Sequence, residues 1–208
     1  MITIVDYGVG NIGALLNMFD YLGLEAQVCA DAAKIVTAQS LVLPGVGSFD
    51  KAMTTLRERQ LILALNEAVL HRNIPVLGVC LGMQLFARSS EEGEQEGLGW
   101  IDADVKRISI PQGSCLKVPH IGWSEVSVIQ ENQLFRSMEG VVRYYFNHSY
   151  HMVCNNSNDV AAVFNYEQPL VCSIKHNNIY GVQFHPEKSH RFGMHLLKEF
   201  GRFTMEQA

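Results

Sequence analysis

No segment of this 208-residue chain approaches the roughly 20 consecutive apolar residues that a membrane-spanning helix needs, which argues against a bilayer span. Cationic residues are in the minority. Sixteen Lys and Arg face 21 Asp and Glu, a net charge of −5, so nucleic acid is not expected as the main partner. The five cysteines, at positions 29, 80, 115, 154 and 172, are scattered and form no Cys-x-x-Cys pair. Neither a disulfide framework nor a zinc site is indicated, and a reduced cytoplasm fits best. The opening Met1-Ile2-Thr3-Ile4-Val5-Asp6 has no basic region or cleavage site of a signal peptide and reads as a strand. Linkers, repeats and low-complexity stretches are also missing, so residues 1–208 read as a single domain.

Nearly half the residues (48%) are apolar and only 18% are charged, a composition that folds around a core. The first half alternates. Ile2 to Asp6 reads as strand, Asn11 to Leu22 as helix, Ala26 to Ala30 as strand, Ser40 to Leu43 as a short strand, and Phe49 to His71 as one or two helices. Buried, unpatterned strands that alternate with helices predict a parallel sheet covered on both faces. In the second half, 104–108, 141–150, 160–166, 170–175 and 179–184 read as consecutive strands, with Asn177-Asn178 as a hairpin turn. Ser189 to Phe203 reads as an amphipathic helix with Ser189 as its N-cap. The expected fold is α/β: three α/β/α layers around a mostly parallel sheet, with antiparallel strands in the second half.

The chemistry concentrates at Gly78-Val79-Cys80-Leu81-Gly82. An apolar run, 74–79, leads in, and a helix-like run, 83–87, leads out. A cysteine between glycines at a strand-to-helix turn has the layout of a nucleophile elbow. The helix N-terminus favours thiolate, and the N–H of the next residue, Leu81, points where an oxyanion would form. A base is available far downstream: His185-Pro186-Glu187 follows the buried run 179–184. The imidazole can take the thiol proton while the carboxylate fixes its tautomer. Alone, Cys80 reads as readily as a small buried hydrophobe and His185 as a structural histidine; together they form a Cys-His-Glu set.

A rival signal lies at Gly8-Val9-Gly10-Asn11-Ile12-Gly13, which matches G-x-G-x-x-G between a strand and a helix, with Asp31 at the end of the next strand. That pattern fits an NAD(P)-dependent oxidoreductase, although it would leave the Cys-His-Glu set unexplained and little room for a substrate domain. His185, His190 and His195 are spaced by five, which does not hold one helix face, so no metal site is expected.

Several motifs, in order along nearly the whole chain, resemble the class I (triad) glutamine amidotransferases, and within them the glutaminase subunits of imidazole glycerol phosphate synthase. They are 6–11 (DYGVGN), 43–49 (LPGVGSF), 78–84 (GVCLGMQ), 90–93 (SEEG), 118–123 (VPHIGW), 148–150 (HSY) and 181–189 (GVQFHPEKS). The resemblance implies a flavodoxin-like amidotransferase fold and cysteine-based glutaminase chemistry without cofactor or metal. It implies an oxyanion hole from the N–H groups of Gly47 and Leu81, with the glycines beside Val46 letting one peptide flip. Gln84 and Glu92 would bind glutamine, Glu92 through the α-ammonium, and the backbone of Ser149 and Tyr150 would hold the α-carboxylate. Asn11, Trp123 and Lys188 would face a HisF-like (β/α)8 synthase subunit in a heterodimer. Ammonia would pass to that subunit to build imidazole glycerol phosphate and release AICAR in histidine biosynthesis.

Two departures stand out. Ser124 replaces the usual Asn after the Pro-His-x-Gly-Trp motif, and His190-Arg191-Phe192-Gly193-Met194 replaces a small-residue stretch. The second resembles paralogues that supply ammonia to a surface-polysaccharide sugar amidotransferase, which stands as the alternative acceptor.

Overall fold

The structure is a computed structural model that describes residues 1–206. In chain order, β1 (Ile2–Val5), α1 (Ile12–Tyr21), β2 (Ala26–Cys29), α2 (Ala32–Val36), β3 (Ser40–Gly45), α3 (Phe49–Glu58) and α4 (Leu61–Asn66) lead to β4 (Val76–Cys80) and α5 (Leu81–Gln84). There follow β5 (Ser89–Ser90), β6 (Ala103–Arg107), β7 (His120–Val128), β8 (Val142–His148), β9 (Tyr150–Cys154), β10 (Val160–Tyr166), β11 (Gln168–His176), β12 (Ile179–Val182) and α6 (His190–Glu206).

Nine strands form one sheet in the order β2-β1-β3-β4-β12-β11-β10-β7-β8. The five strands from β2 to β12 are mutually parallel. From β12 outward each pairing is antiparallel. The expected split is present, but four of the eight pairings are antiparallel, so the sheet is half rather than mostly parallel; the parallel part ends at β12, a late strand inserted beside β4. A second sheet, β5-β6-β9, packs beside it. Helices cover both faces. Leu41 and Leu43 pack with Phe49, Leu56, Leu65 and Phe86 on one side. Val42, between them in sequence, packs with Leu15, Phe19, Leu197 and Phe200 on the other, as the two-residue strand period requires.

Three local expectations are corrected, and two elements are added. The helix read over 83–87 is a single turn, Leu81–Gln84, because the carbonyls of Leu85, Phe86, Ala87 and Arg88 accept from Leu98, Ile101, Gly99 and Gly97 of a crossing loop rather than from a next helical turn. The strand read over 141–150 divides at Ser149, since β8 joins the large sheet and β9 the small one. Ser189 does not cap α6 with its side chain. Its hydroxyl donates to the His185 carbonyl at 2.6 Å and accepts from the Tyr145 N–H at 3.0 Å. Helix α2 and strand β7 were not foreseen; α2 is one short turn whose apolar spacing is unreadable, and β7 is mostly solvent-facing.

Candidate active site

Cys80 ends β4 and is the N-cap of α5, with φ +55° and ψ −112°, a strained conformation for a residue with a Cβ. The turn is possible because its neighbours are bare. A Cβ at Gly82 would collide with the Leu43 carbonyl, so the elbow can lie flat against β3 only with glycine there. Gly45 of β3 is the sheet partner of Cys80, which brings the loop 46–48 alongside the sulfur. In that loop Gly47 has φ +97° with open space where a Cβ would go.

His185 is delivered by β12, the direct parallel neighbour of β4. Its Nδ1 lies 3.0 Å from Glu187 Oε1, and both side chains are almost wholly buried. The short turn that carries them is fastened to β8: the His185 N–H donates to the Tyr145 carbonyl at 2.9 Å, and Ser189 ties the same two residues. Burial pulls the imidazole pKa down, yet the neighbouring Cys80 sulfur and the Glu187 carboxylate outweigh it and raise it to about 10. The second carboxylate oxygen of Glu187 is buried without a hydrogen-bond partner.

A cavity of about 330 Å³ opens over the sulfur, the size of a small polar metabolite. Cys80, His185, Gly47 and Leu81 line it together with Gln84, Glu92, Ser149, Tyr150 and Lys188. Glu187 stands behind His185, outside the cavity. Asn11 and Trp123 are elsewhere on the surface: Asn11 is exposed at the start of α1, and Trp123, 45% exposed, stacks on His190 with rings 5.5 Å apart and nearly parallel. Trp123 and Lys188 both flank the Tyr145 ring. His195 donates from Nε2 to the Arg136 carbonyl.

Glu92 has a further attachment. Its Oε2 accepts from the Phe49 N–H at 2.9 Å and so caps α3 in place of the Ser48 side chain, which makes no capping bond. The glycine fingerprint at 8–13 has a packing explanation. A Cβ at Gly10 would lie 2.9 Å from the Pro44 side chain, so glycine there lets this loop back onto the loop beside Cys80. Asp31, which a ribose would need, is occupied in capping α2 through the N–H groups of Ala33 and Lys34.

Several site residues were not assigned from sequence. Gln183, fully buried, sets its Nε2 3.7 Å from the Cys80 sulfur and accepts from Gln84 Nε2 at 2.9 Å. A glutamine inside the apolar run 179–184 was the available signal. Tyr7 donates to the Pro44 carbonyl at 2.6 Å, and His148, in the cavity wall, is hydrogen-bonded to His120. Those three lie inside quoted motifs, but which atoms they meet depends on contacts between distant strands.

The model of the class-I glutamine amidotransferase family matches residues 3–202. The chain is 45% identical to the imidazole glycerol phosphate synthase subunit HisH of Leptospira interrogans, over 96% of this chain and 98% of that one. It is 44% identical to the imidazole glycerol phosphate synthase subunit HisH 2 of Methanococcus maripaludis, with the same coverage. Among solved structures, PurLQS from Thermotoga maritima superposes with a TM-score of 0.75 at 14% identity, covering 97% of each chain. With a matched family model over nearly the whole chain, a glycine-flanked cysteine elbow and relatives of this similarity, the chain belongs to the class-I glutamine amidotransferase family.

Proposed function

We propose that this chain is the glutaminase subunit of an imidazole glycerol phosphate synthase, folded as one amidotransferase domain and acting through Cys80, His185 and Glu187. The observation that carries the reading is the join of sheet order and chemistry: β12 lies directly beside β4, which sets a Glu187-held imidazole against the Cys80 sulfur at the mouth of a cavity. Relatives named as subunits of that synthase, matched over 96% of this chain, support the pathway.

In this mechanism His185 takes the proton of Cys80, and Glu187, 3.0 Å from the imidazole Nδ1, holds the imidazolium that forms. The sulfur attacks the side-chain amide carbon of glutamine and its electron pair moves to oxygen. The N–H groups of Gly47 and Leu81 hold that oxygen, each donor contributing roughly 3 kcal/mol. His185 passes its proton to the departing nitrogen, releasing ammonia and leaving a glutamyl thioester. Water, deprotonated by His185, cleaves the thioester to glutamate and restores Cys80. Glu92 receives the α-ammonium, Gln84 the polar end of the substrate, and the backbone at Ser149 and Tyr150 the α-carboxylate.

Free ammonia is protonated in bulk water, so productive use needs direct delivery to a second subunit. The partner is a HisF-like (β/α)8 synthase subunit in a cytoplasmic heterodimer, docked on the face that carries Asn11, Trp123 and Lys188, and the products there are imidazole glycerol phosphate and AICAR. The alternative acceptor, a surface-polysaccharide sugar, is favoured by one observation: His190, in the departing segment, stacks on Trp123 and so alters that docking face.

The test is glutamate release from glutamine by the chain alone and with its synthase subunit plus that subunit's nucleotide ligand. A large rise in the complex is expected. No rise, from a chain whose Cys80 still reacts with a glutamine-like electrophile, assigns the other acceptor.

A further inference from the structure

Two buried histidines, His148 in the cavity wall and His120 beyond it, form a hydrogen-bonded line whose direction is set by its end. His148 Nδ1 lies 2.8 Å from the Tyr150 carbonyl, which can only accept, so that nitrogen carries the proton. The neutral ring then offers Nε2 as an acceptor, and His120 Nδ1, 3.2 Å away, must donate to it. That leaves His120 Nε2 as an acceptor for the Ser124 hydroxyl at 3.0 Å. Aromatic rings seal the line: His120 stacks on Phe164 and meets Phe146 and Tyr166. The seal disfavours an imidazolium at either ring, and burial lowers both pKa values, to about 4 for His120 and about 3 for His148.

The Tyr150 carbonyl accepts a second bond, from Gln84 Nε2 at 3.0 Å. The other N–H of that nitrogen goes to Gln183 Oε1 at 2.9 Å. Both donors of Gln84 are therefore committed, and its carbonyl oxygen is the group left for the cavity that Gln84 lines. An acceptor there can receive an N–H of glutamine and cannot serve a carboxylate.

We propose that His120 and His148 are positioning residues: a fixed-tautomer relay that holds the Tyr150 carbonyl, and through it the Gln84 amide, so that the cavity presents an acceptor to the substrate. The proposal rests on the glutaminase reading given above. It adds two side chains that act through Tyr150 and Gln84, and it accounts for Ser124, whose hydroxyl closes the outer end of the line.

The direct test is a two-bond 15N–1H imidazole correlation spectrum of the whole chain at pH 7. His120 and His148 are expected as neutral Nδ1–H rings; an Nε2–H tautomer or an imidazolium at either position overturns the relay. The functional test measures glutaminase kinetics, with the synthase subunit present, for His148→Leu and His120→Leu beside His148→Asn and His120→Asn. Asparagine keeps a donor at the place of Nδ1. The leucine variants are expected to raise KM for glutamine by about tenfold with a smaller change in kcat, and the asparagine variants to recover most of it. Leucine and asparagine variants that bind glutamine alike overturn the proposal. Should the leucine variants fail to fold, the spectrum and the asparagine pair decide it. A wild-type chain with normal tautomers but no glutamate release and no labelling at Cys80 overturns the glutaminase reading instead, and the role of the relay with it.

Discussion

Tyr7 donates its hydroxyl proton to the Pro44 carbonyl at 2.6 Å, one residue before Gly45, the sheet partner of Cys80. Both groups are buried, and burial, with Cys80 close by, keeps the phenol protonated. The bond clamps the strand end from which the Gly47 loop departs. Tyr7→Phe leaves the Pro44 carbonyl without a donor. It is expected to lower stability by about 1–3 kcal/mol and to depress glutaminase activity more than glutamine binding. Chemical denaturation and steady-state kinetics check both.

The backbone at Cys80 stores strain that the nucleophile requires. At φ +55° glycine is at ease and alanine is not. Both Cys80→Gly and Cys80→Ala should release no glutamate. Cys80→Gly should be more stable than Cys80→Ala by about 1 kcal/mol, measured by urea unfolding. An equal midpoint for the two would remove the strain from the account.

Gly47 tests the oxyanion assignment without a packing change. A methyl group there meets open space, so Gly47→Ala perturbs only a backbone at φ +97°. Activity in the complex should fall by about tenfold or more, toward the 100-fold that loss of one oxyanion donor costs, with thermal stability nearly unchanged. Wild-type turnover would mean that the Gly47 N–H is not used.

The histidines give stability a two-sided pH dependence. His185 has a folded pKa raised to about 10 from 6.5. Its contribution is complete below 6.5 and is lost as pH climbs toward 10. His120 and His148 have folded pKa values lowered to about 4 and about 3. Unfolding then takes up protons below 6.5, so their part is complete above 6.5 and is lost as pH falls toward 3. The melting temperature should peak near neutrality. Glu187→Gln should flatten the alkaline limb and His148→Asn the acid limb, by differential scanning calorimetry across pH.

Glu92 joins the cavity to α3 through the Phe49 N–H. Glu92→Gln keeps a capping oxygen but loses the charge. It should leave stability within about 0.5 kcal/mol and raise KM for glutamine at least tenfold, as expected when a substrate ammonium loses its counter-ion. A large stability loss with unchanged KM would make Glu92 a capping residue alone.

Much of this was readable from local chemistry. Strands β1, β3 and β4 are rich in Val, Ile and Leu and buried throughout, and covered strands leave that mark directly. The elbow was readable because glycines on both sides of a cysteine serve close backbone approach, and the structure needs Gly82 for that. His185 and Glu187 were legible as a pair because two residues on one short turn share a side, and they stand 3.0 Å apart. Asn11 and Trp123 were legible only as exposed groups.

Less was readable where a residue's meaning depends on its partner across the sheet. Ser189 has the sequence position of a helix cap, but β8 passes close enough to take its hydroxyl. Ser48 precedes α3 in the same way, and the carboxylate of Glu92, 43 residues beyond Phe49, does the capping. The run 141–150 looks continuous because both halves alternate; only the division of strands between two sheets breaks it at Ser149.

The sequence by itself determined the parallel strands around the elbow, the elbow and the residues able to do the chemistry, since these follow from backbone sterics, side-chain periodicity and neighbours a few positions away. The tertiary structure alone decided that β12 lies beside β4, which brings residues 80 and 185 together, and that His120, His148, Tyr150, Gln84 and Gln183 form one hydrogen-bonded wall. Pairing between distant strands is set by how the whole core packs, and no local pattern carries that information.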